Sequence, residues 1–134
     1  MGTVIVTTRH EPGRVMGVHG GSGDLLWKRL ATGSHLFAKW EGFEWVGLEP
    51  GGIVGKHTHT HTEEVFYFLS GSGELTLDGV TYRVQSGDAC ITPLGSWHSV
   101  TNTSHDLLSY IVVEVFPPSI SSALPPRRPT EEDV

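Results

Sequence analysis

The sequence predicts an all-β domain, a sandwich or barrel of short strands. Three observations carry this expectation. Glycine and proline, 17 and 8 of 134 residues, punctuate the chain at short intervals. The runs between them are short and rich in β-branched and aromatic residues, which suit a pleated, half-buried surface. No stretch of ten or more residues has the apolar period of an amphipathic helix.

Taken in order, residues 3–8 (TVIVTT) read as a strand. A Gly-rich stretch over 10–24 isolates this strand, so its partner should be a distant strand or a second subunit. Residues 25–31 read as a short strand with Trp27 in the core. Residues 35–40 and 43–48 read as two strands joined by a hairpin-like turn at Glu41-Gly42. Glu49-Pro50-Gly51-Gly52 is a tight turn. Residues 65–69 (VFYFL) form a continuous apolar run, the pattern of a strand buried on both faces. Residues 74–77 and 80–84 flank Asp78-Gly79, a strong two-residue hairpin signal. Short strands follow at 89–92, 97–102 and 107–116. Residues 1–116 therefore read as one domain, and 117–134 (PPSISSALPPRRPTEEDV) as an extended or disordered tail.

Composition narrows the function classes. The formal net charge is -6, which argues against nucleic acid or an anionic membrane as partner, since both call for a basic face. No run is long and apolar enough for a membrane span. The N-terminus lacks the basic start and apolar stretch of a secretory signal, so the expected location is the cytoplasm. The single cysteine, Cys90, excludes an intrachain disulfide and sits in an apolar run, where a small buried hydrophobe is favoured over a nucleophile.

The chemistry concentrates in residues 51–71, GGIVGKHTHTHTEEVFYFLSG. His57, His59 and His61 occupy alternate positions, and Glu63 and Glu64 follow. Alternate residues of an extended strand share a face, so His57 and His59 can turn two imidazoles toward one point. A bend would bring a carboxylate to the same place. Imidazole nitrogens and a carboxylate oxygen suit a divalent transition metal. His98, in GDACITPLGSWHSVTN, is the candidate for a further ligand. The bland alternative for HTHTH alone is a polar strand edge or a solvated loop.

These two segments resemble the motifs of the cupin superfamily. Gly51, His57, His59, Glu64 and Gly71 match the first motif, with the four-residue option between the second histidine and the glutamate. Gly87, Pro93, Gly95, His98 and Asn102 match the second motif without a gap. Each fixed position would match by chance roughly one time in twenty, so coincidence across both motifs is implausible. The resemblance covers 51–102 and leaves the N-terminal stretch and the tail aside. It implies a double-stranded β-helix, or jelly-roll barrel, with one divalent metal ion (Fe, Zn, Mn or Ni) held inside by His57, His59, Glu64 and His98. With a three-residue spacer Glu63 would be the ligand, but only Glu64 keeps six residues before Gly71. His61 has no counterpart in the basic pattern and is expected beside the ligands or in solvent. The motif glycines fall where the chain reverses, Pro93 stiffens the turn before His98, and Asn102 is expected to bond nearby backbone.

Trp40, Trp45, Tyr67 and Trp97 are the candidates for pocket walls, against plain core packing. Trp97 neighbours His98, yet strand neighbours face opposite sides. The resemblance implies a small-molecule ligand or substrate and a homodimer. It leaves two functional classes open: a metal-dependent enzyme using dioxygen or Lewis-acid chemistry, or a metal-containing binding or sensing module without turnover. Few basic residues lie near the motifs, so a neutral or weakly acidic organic molecule is favoured over a multiply charged anion.

Overall fold

The computed structural model describes residues 9–128. The strand expected at 3–8 lies outside the described residues. Among the described residues, ten strands form two antiparallel sheets. The larger has the order β1-β2-β3-β10-β5-β8 and the smaller β4-β9-β6-β7. Their ranges are β1 Gly13–Met16, β2 Asp24–Thr32, β3 Trp40–Leu48, β4 Ile53–Thr58, β5 Glu63–Ser70, β6 Ser72–Leu77, β7 Val80–Gln85, β8 Ala89–Thr92, β9 Trp97–Thr101 and β10 Leu108–Val115. One hydrophobic cluster draws on both sheets, with Leu48, Phe68 and Leu108 from the larger meeting Leu75, Val84 and Val100 from the smaller. This is the expected jelly roll, closed by side chains from its two inner faces.

The turns obey the local chemistry of the sequence. Asp78 (φ 46°) and Gly79 (φ 88°) are both left-handed, the tight hairpin turn that matches strand twist. Gly71 (φ 77°) also has its α-carbon pressed against the Leu107 carbonyl, so a side chain there would be excluded twice over. Asn102 is 1% exposed. Its Nδ2 donates to the carbonyls of Leu48 (2.8 Å) and Asp106 (2.7 Å), and its Oδ1 accepts from Ser104 N (2.9 Å). It is a structural clamp between β9 and the β3–β4 turn.

Three expectations need correction. There is no hairpin at Glu41-Gly42: β3 runs unbroken through it, and 33–35 form a single 3-10 turn in which Thr32 N donates to His35 Nδ1 (3.2 Å). Gly42 is a strand glycine because the Arg29 guanidinium lies where its Cβ would be. Residues 65–69 are not buried on both faces. Phe66 and Phe68 point inward (3% and 0% exposed), whereas Val65, Tyr67 and Leu69 are 41–45% exposed on the outer face. An apolar run does not reveal whether a second layer covers it. The segment after Pro117 is not wholly extended: Pro118–Ser121 makes one helical turn, and Lys39 Nζ donates to the carbonyls of Ser121 (2.7 Å) and Leu124 (2.6 Å).

Candidate metal centre

The two motif segments meet where β4 lies beside β9. His57 and His98 are direct cross-strand partners, after a bulge between Val54 and His57 that resets the face of β4. His59 stands just beyond the end of β4, and its carbonyl accepts from Gly95 N (3.0 Å), tying the first motif to the second. Glu64 reaches in from β5 on the facing sheet and is 4% exposed; His98 is 1% exposed. Ring centroids lie 4.2 Å apart for His57–His98, 4.9 Å for His57–His59 and 5.4 Å for His59–His98. One ligand atom from each of these three histidines falls within 4.8 Å of the others, as a single ion would need.

The hydrogen bonds orient the rings. His57 Nδ1 bonds the Gly55 carbonyl at 2.8 Å, which makes it the N–H and leaves Nε2 with its lone pair. His59 Nδ1 is engaged by the Thr62 hydroxyl at 3.3 Å. Such outer contacts are what fix a metal-binding imidazole. His59 Nε2 lies 2.7 Å from Glu64 Oε1, and His98 Nε2 lies 3.7 Å from Glu64 Oε2. Yet neither His59 Nε2 nor His98 Nδ1 has a hydrogen-bond partner within the protein, although both are buried. Buried polar atoms are rarely left so. A divalent cation among these groups would satisfy both His59 Nε2 and the Glu64 carboxylate.

Electrostatics fit this reading. Burial drives the His98 pKa down to about 3, with the neighbouring histidines adding to the effect, so His98 is a neutral donor. Burial also lowers His57, against its bond to Gly55. His59 moves the other way because the Glu64 carboxylate lies against its ring. A cation among these groups would take over the balancing of the buried Glu64 charge.

A cavity of about 170 Å³ opens over these residues. His57, His59, Glu64 and His98 line it, with Trp27, Glu44, Val46, Tyr110, Val112 and Glu114 among the other lining residues. Arg29 Nη2 pairs with Glu44 Oε1 at 2.9 Å. Glu114 lies opposite Glu64 in register and within 4.8 Å, ligand atom to ligand atom, of both His59 and Glu64. Burial, with Glu64 and Glu44 nearby, raises its carboxyl to about 7.

The other expected site residues lie elsewhere. His61 is exposed and meets the Thr60 hydroxyl (2.9 Å). Glu63 Oε2 accepts from Leu94 N at 3.2 Å, on the turn of the second motif. None of Trp40, Trp45, Tyr67 and Trp97 lines the cavity. Trp40 opens β3 opposite Val115, Tyr67 is on the outer face of β5, Trp45 lies beneath Lys28 Nζ (6.0 Å), and Trp97 packs under Lys56 Nζ (4.2 Å). Cys90 is half-buried, and burial pushes its thiol pKa up, so it is not an activated nucleophile.

Of the histidines and carboxylates lining the cavity, Glu44, Glu114 and His19 were not singled out from sequence. The two glutamates carry a signal, because each continues an alternating inward row (Leu48, Val46, Glu44; Leu108, Tyr110, Val112, Glu114). A carboxylate at an inward position is a site candidate. His19 sits in a Gly-rich stretch with no period to read.

The cupin-domain family model matches residues 44–114, and the chain belongs to this family. Over 112 residues it is 30% identical to an oxalate-binding protein of Thermotoga maritima, spanning 84% of this chain and 93% of that protein. The crystal structure of a predicted oxalate decarboxylase from the same organism superposes with a TM-score of 0.80 at 29% identity, covering 86% of this chain and all of that one. A Bacillus subtilis quercetin 2,3-dioxygenase is 45% identical over 56 residues, which is 40% of this chain but only 17% of the dioxygenase.

Proposed function

We propose that this protein is a metal-dependent cupin enzyme. In this reading His57, His59, Glu64 and His98 hold one divalent ion, and a small, weakly acidic organic molecule binds to it through oxygen. The observation that carries the reading is the convergence of three imidazoles and a buried carboxylate from the facing sheet in a small cavity. The cavity volume favours compact acids over large aromatic substrates, and the oxalate-binding relative points to the same size class.

A bound divalent ion supplies Lewis acidity, drawing electrons from a coordinated oxygen and favouring anionic ligands. Three neutral imidazoles and one carboxylate leave it a net charge of +1. The chain supplies the rest. Val46, Val54 and Val112 give the cavity dry walls that strengthen charge interactions within it. Glu44 is held by Arg29. Glu114 reaches the cavity beside Glu64 and is placed to exchange a proton with bound substrate. This acid-base group favours turnover; the relative's name favours the second reading, binding without turnover.

Protein purified without added metal should contain close to one divalent ion per chain. Calorimetric titration with oxalate and with other small carboxylates should show binding to the loaded protein that disappears in His98→Ala. Product analysis of the same mixtures separates the two readings: Glu114→Gln should abolish turnover while keeping binding, whereas no product from any acid leaves binding alone. A homodimer is also proposed, since the outer row Val65, Tyr67 and Leu69 is apolar and 41–45% exposed. Light scattering at tens of micromolar that gives a monomer mass would refute it.

A further inference from the structure

His19 stands at the mouth of the cavity, on the 3-10 turn Val18–Gly20. Its ring lies on that of His57, with centroids 3.7 Å apart and planes 12° from parallel. This placement is built into the fold. The chain around it crosses β4 at backbone contact: Ser22 and Ile53 exchange both backbone hydrogen bonds (3.0 and 2.7 Å). Gly21 and Gly55 approach so closely that a Cβ on either would overlap the opposite backbone, and the neighbour that Gly55 meets is the His19 carbonyl. His19 itself is left-handed (φ 53°), a conformation few non-glycine residues hold without reason. One strand residue thus has its carbonyl bonded to His57 Nδ1 and its α-carbon pressed against the backbone of His19.

His19 does not join the groups whose donor atoms converge within 4.8 Å among the described residues. A ring stacked on a ligand histidine is displaced from it by one ring thickness. Its edge therefore borders the space beside an ion held by His57, and not the ion itself. It lines the cavity on one side and is exposed on the other.

We propose that His19 is a specificity-determining residue. Its imidazole donates a hydrogen bond to the small anion or acid bound at the metal, and its bulk narrows the mouth to compact ligands. The proposal rests on the metal centre proposed above. A neutral imidazole always keeps one N–H to donate, and a hydrogen bond to a charged ligand contributes about tenfold or more in affinity.

The test uses cobalt-loaded protein, with azide as a probe that needs only an open metal position. Cobalt content should stay at wild-type level in His19→Ala and His19→Phe, because neither removes a ligand. Azide dissociation constants from the visible spectrum should rise about tenfold in both variants; the phenylalanine keeps the stacked ring and loses only the N–H. Benzoate, wider than a compact acid, should bind His19→Ala and neither wild type nor His19→Phe. The proposal is overturned if both variants bind azide as wild type does, if either loses its cobalt, or if the wild-type spectrum does not respond to azide. If the azide differences appear and no small carboxylate binds the wild type, the role of His19 stands and the carboxylate reading of function falls.

Discussion

The two ends of the barrel are built from the same strands and have opposite chemistry. On β3 the inward row passes from Leu48 through Val46 to Glu44; on β5 from Phe68 through Phe66 to Glu64; on β10 from Leu108 through Tyr110 and Val112 to Glu114; on β9 from Val100 to His98. The registers align these rows, with Leu108 beside Leu48, Tyr110 beside Phe68 and Glu114 beside Glu64. One end is a dry plug, and the other holds four histidines and three carboxylates around a cavity. Burying those groups without partners costs stability, so the plug must supply what the site gives up. The lesson is a division of labour along each strand: stability at one end, ligand chemistry at the other.

The largest effect should come from breaking the plug. Phe68→Ala removes a fully buried ring and should cost about 3–5 kcal/mol. Denaturant unfolding measures it, and the fraction still folded should keep its metal. A small loss, under about 1 kcal/mol, would mean that the plug is not what stabilises the barrel.

A smaller effect should appear with pH at the other end. In the fold His98 accepts a proton only near pH 3, against 6.5 for an ordinary histidine. Between those values the unfolded chain binds a proton that the fold refuses, so this contribution to stability is intact above 6.5 and falls as pH drops toward 3. His57 adds in the same sense, and His59, raised by Glu64, opposes them. Melting temperatures of metal-free wild type and His98→Gln should therefore converge on acidification. A difference that does not vary with pH would contradict a buried neutral His98.

The smallest effect should be at the histidine the fold leaves outside. His61→Ala and Glu63→Gln should leave metal content and melting temperature near wild type, since His61 is exposed and Glu63 accepts from the Leu94 amide on the turn before His98. Measured metal loss in either would move the boundary between the two ends.

Much of the polar end was legible in the sequence because its spacing is rigid. Alternation put His57 and His59 together, and the turn chemistry of Gly51, Gly71, Gly87 and Gly95, all at positive φ, fixed where the segments reverse. The far wall was legible in principle, since Glu44 and Glu114 break apolar alternation, but only once their strands are placed on the inner face. The tryptophans and Tyr67 misled because aromatic content does not say which face of a strand looks inward. Gly42 misled because a glycine that admits a crossing guanidinium looks, in sequence, like a glycine that turns the chain. His19 could not be read at all: its position depends on backbone contact between two distant glycine-rich segments, and contact at that range leaves no local period.

The central claim is that His57, His59, Glu64 and His98 hold the metal together. Metal analysis of purified His57→Ala, His59→Ala, Glu64→Gln, His98→Ala and His61→Ala tests it most directly. The account predicts that the three ligand histidine variants lose most of their metal, that Glu64→Gln weakens retention or changes which metal is kept, and that His61→Ala matches wild type. Metal lost from His61→Ala but retained by His57→Ala, or unchanged content in all five, would contradict it.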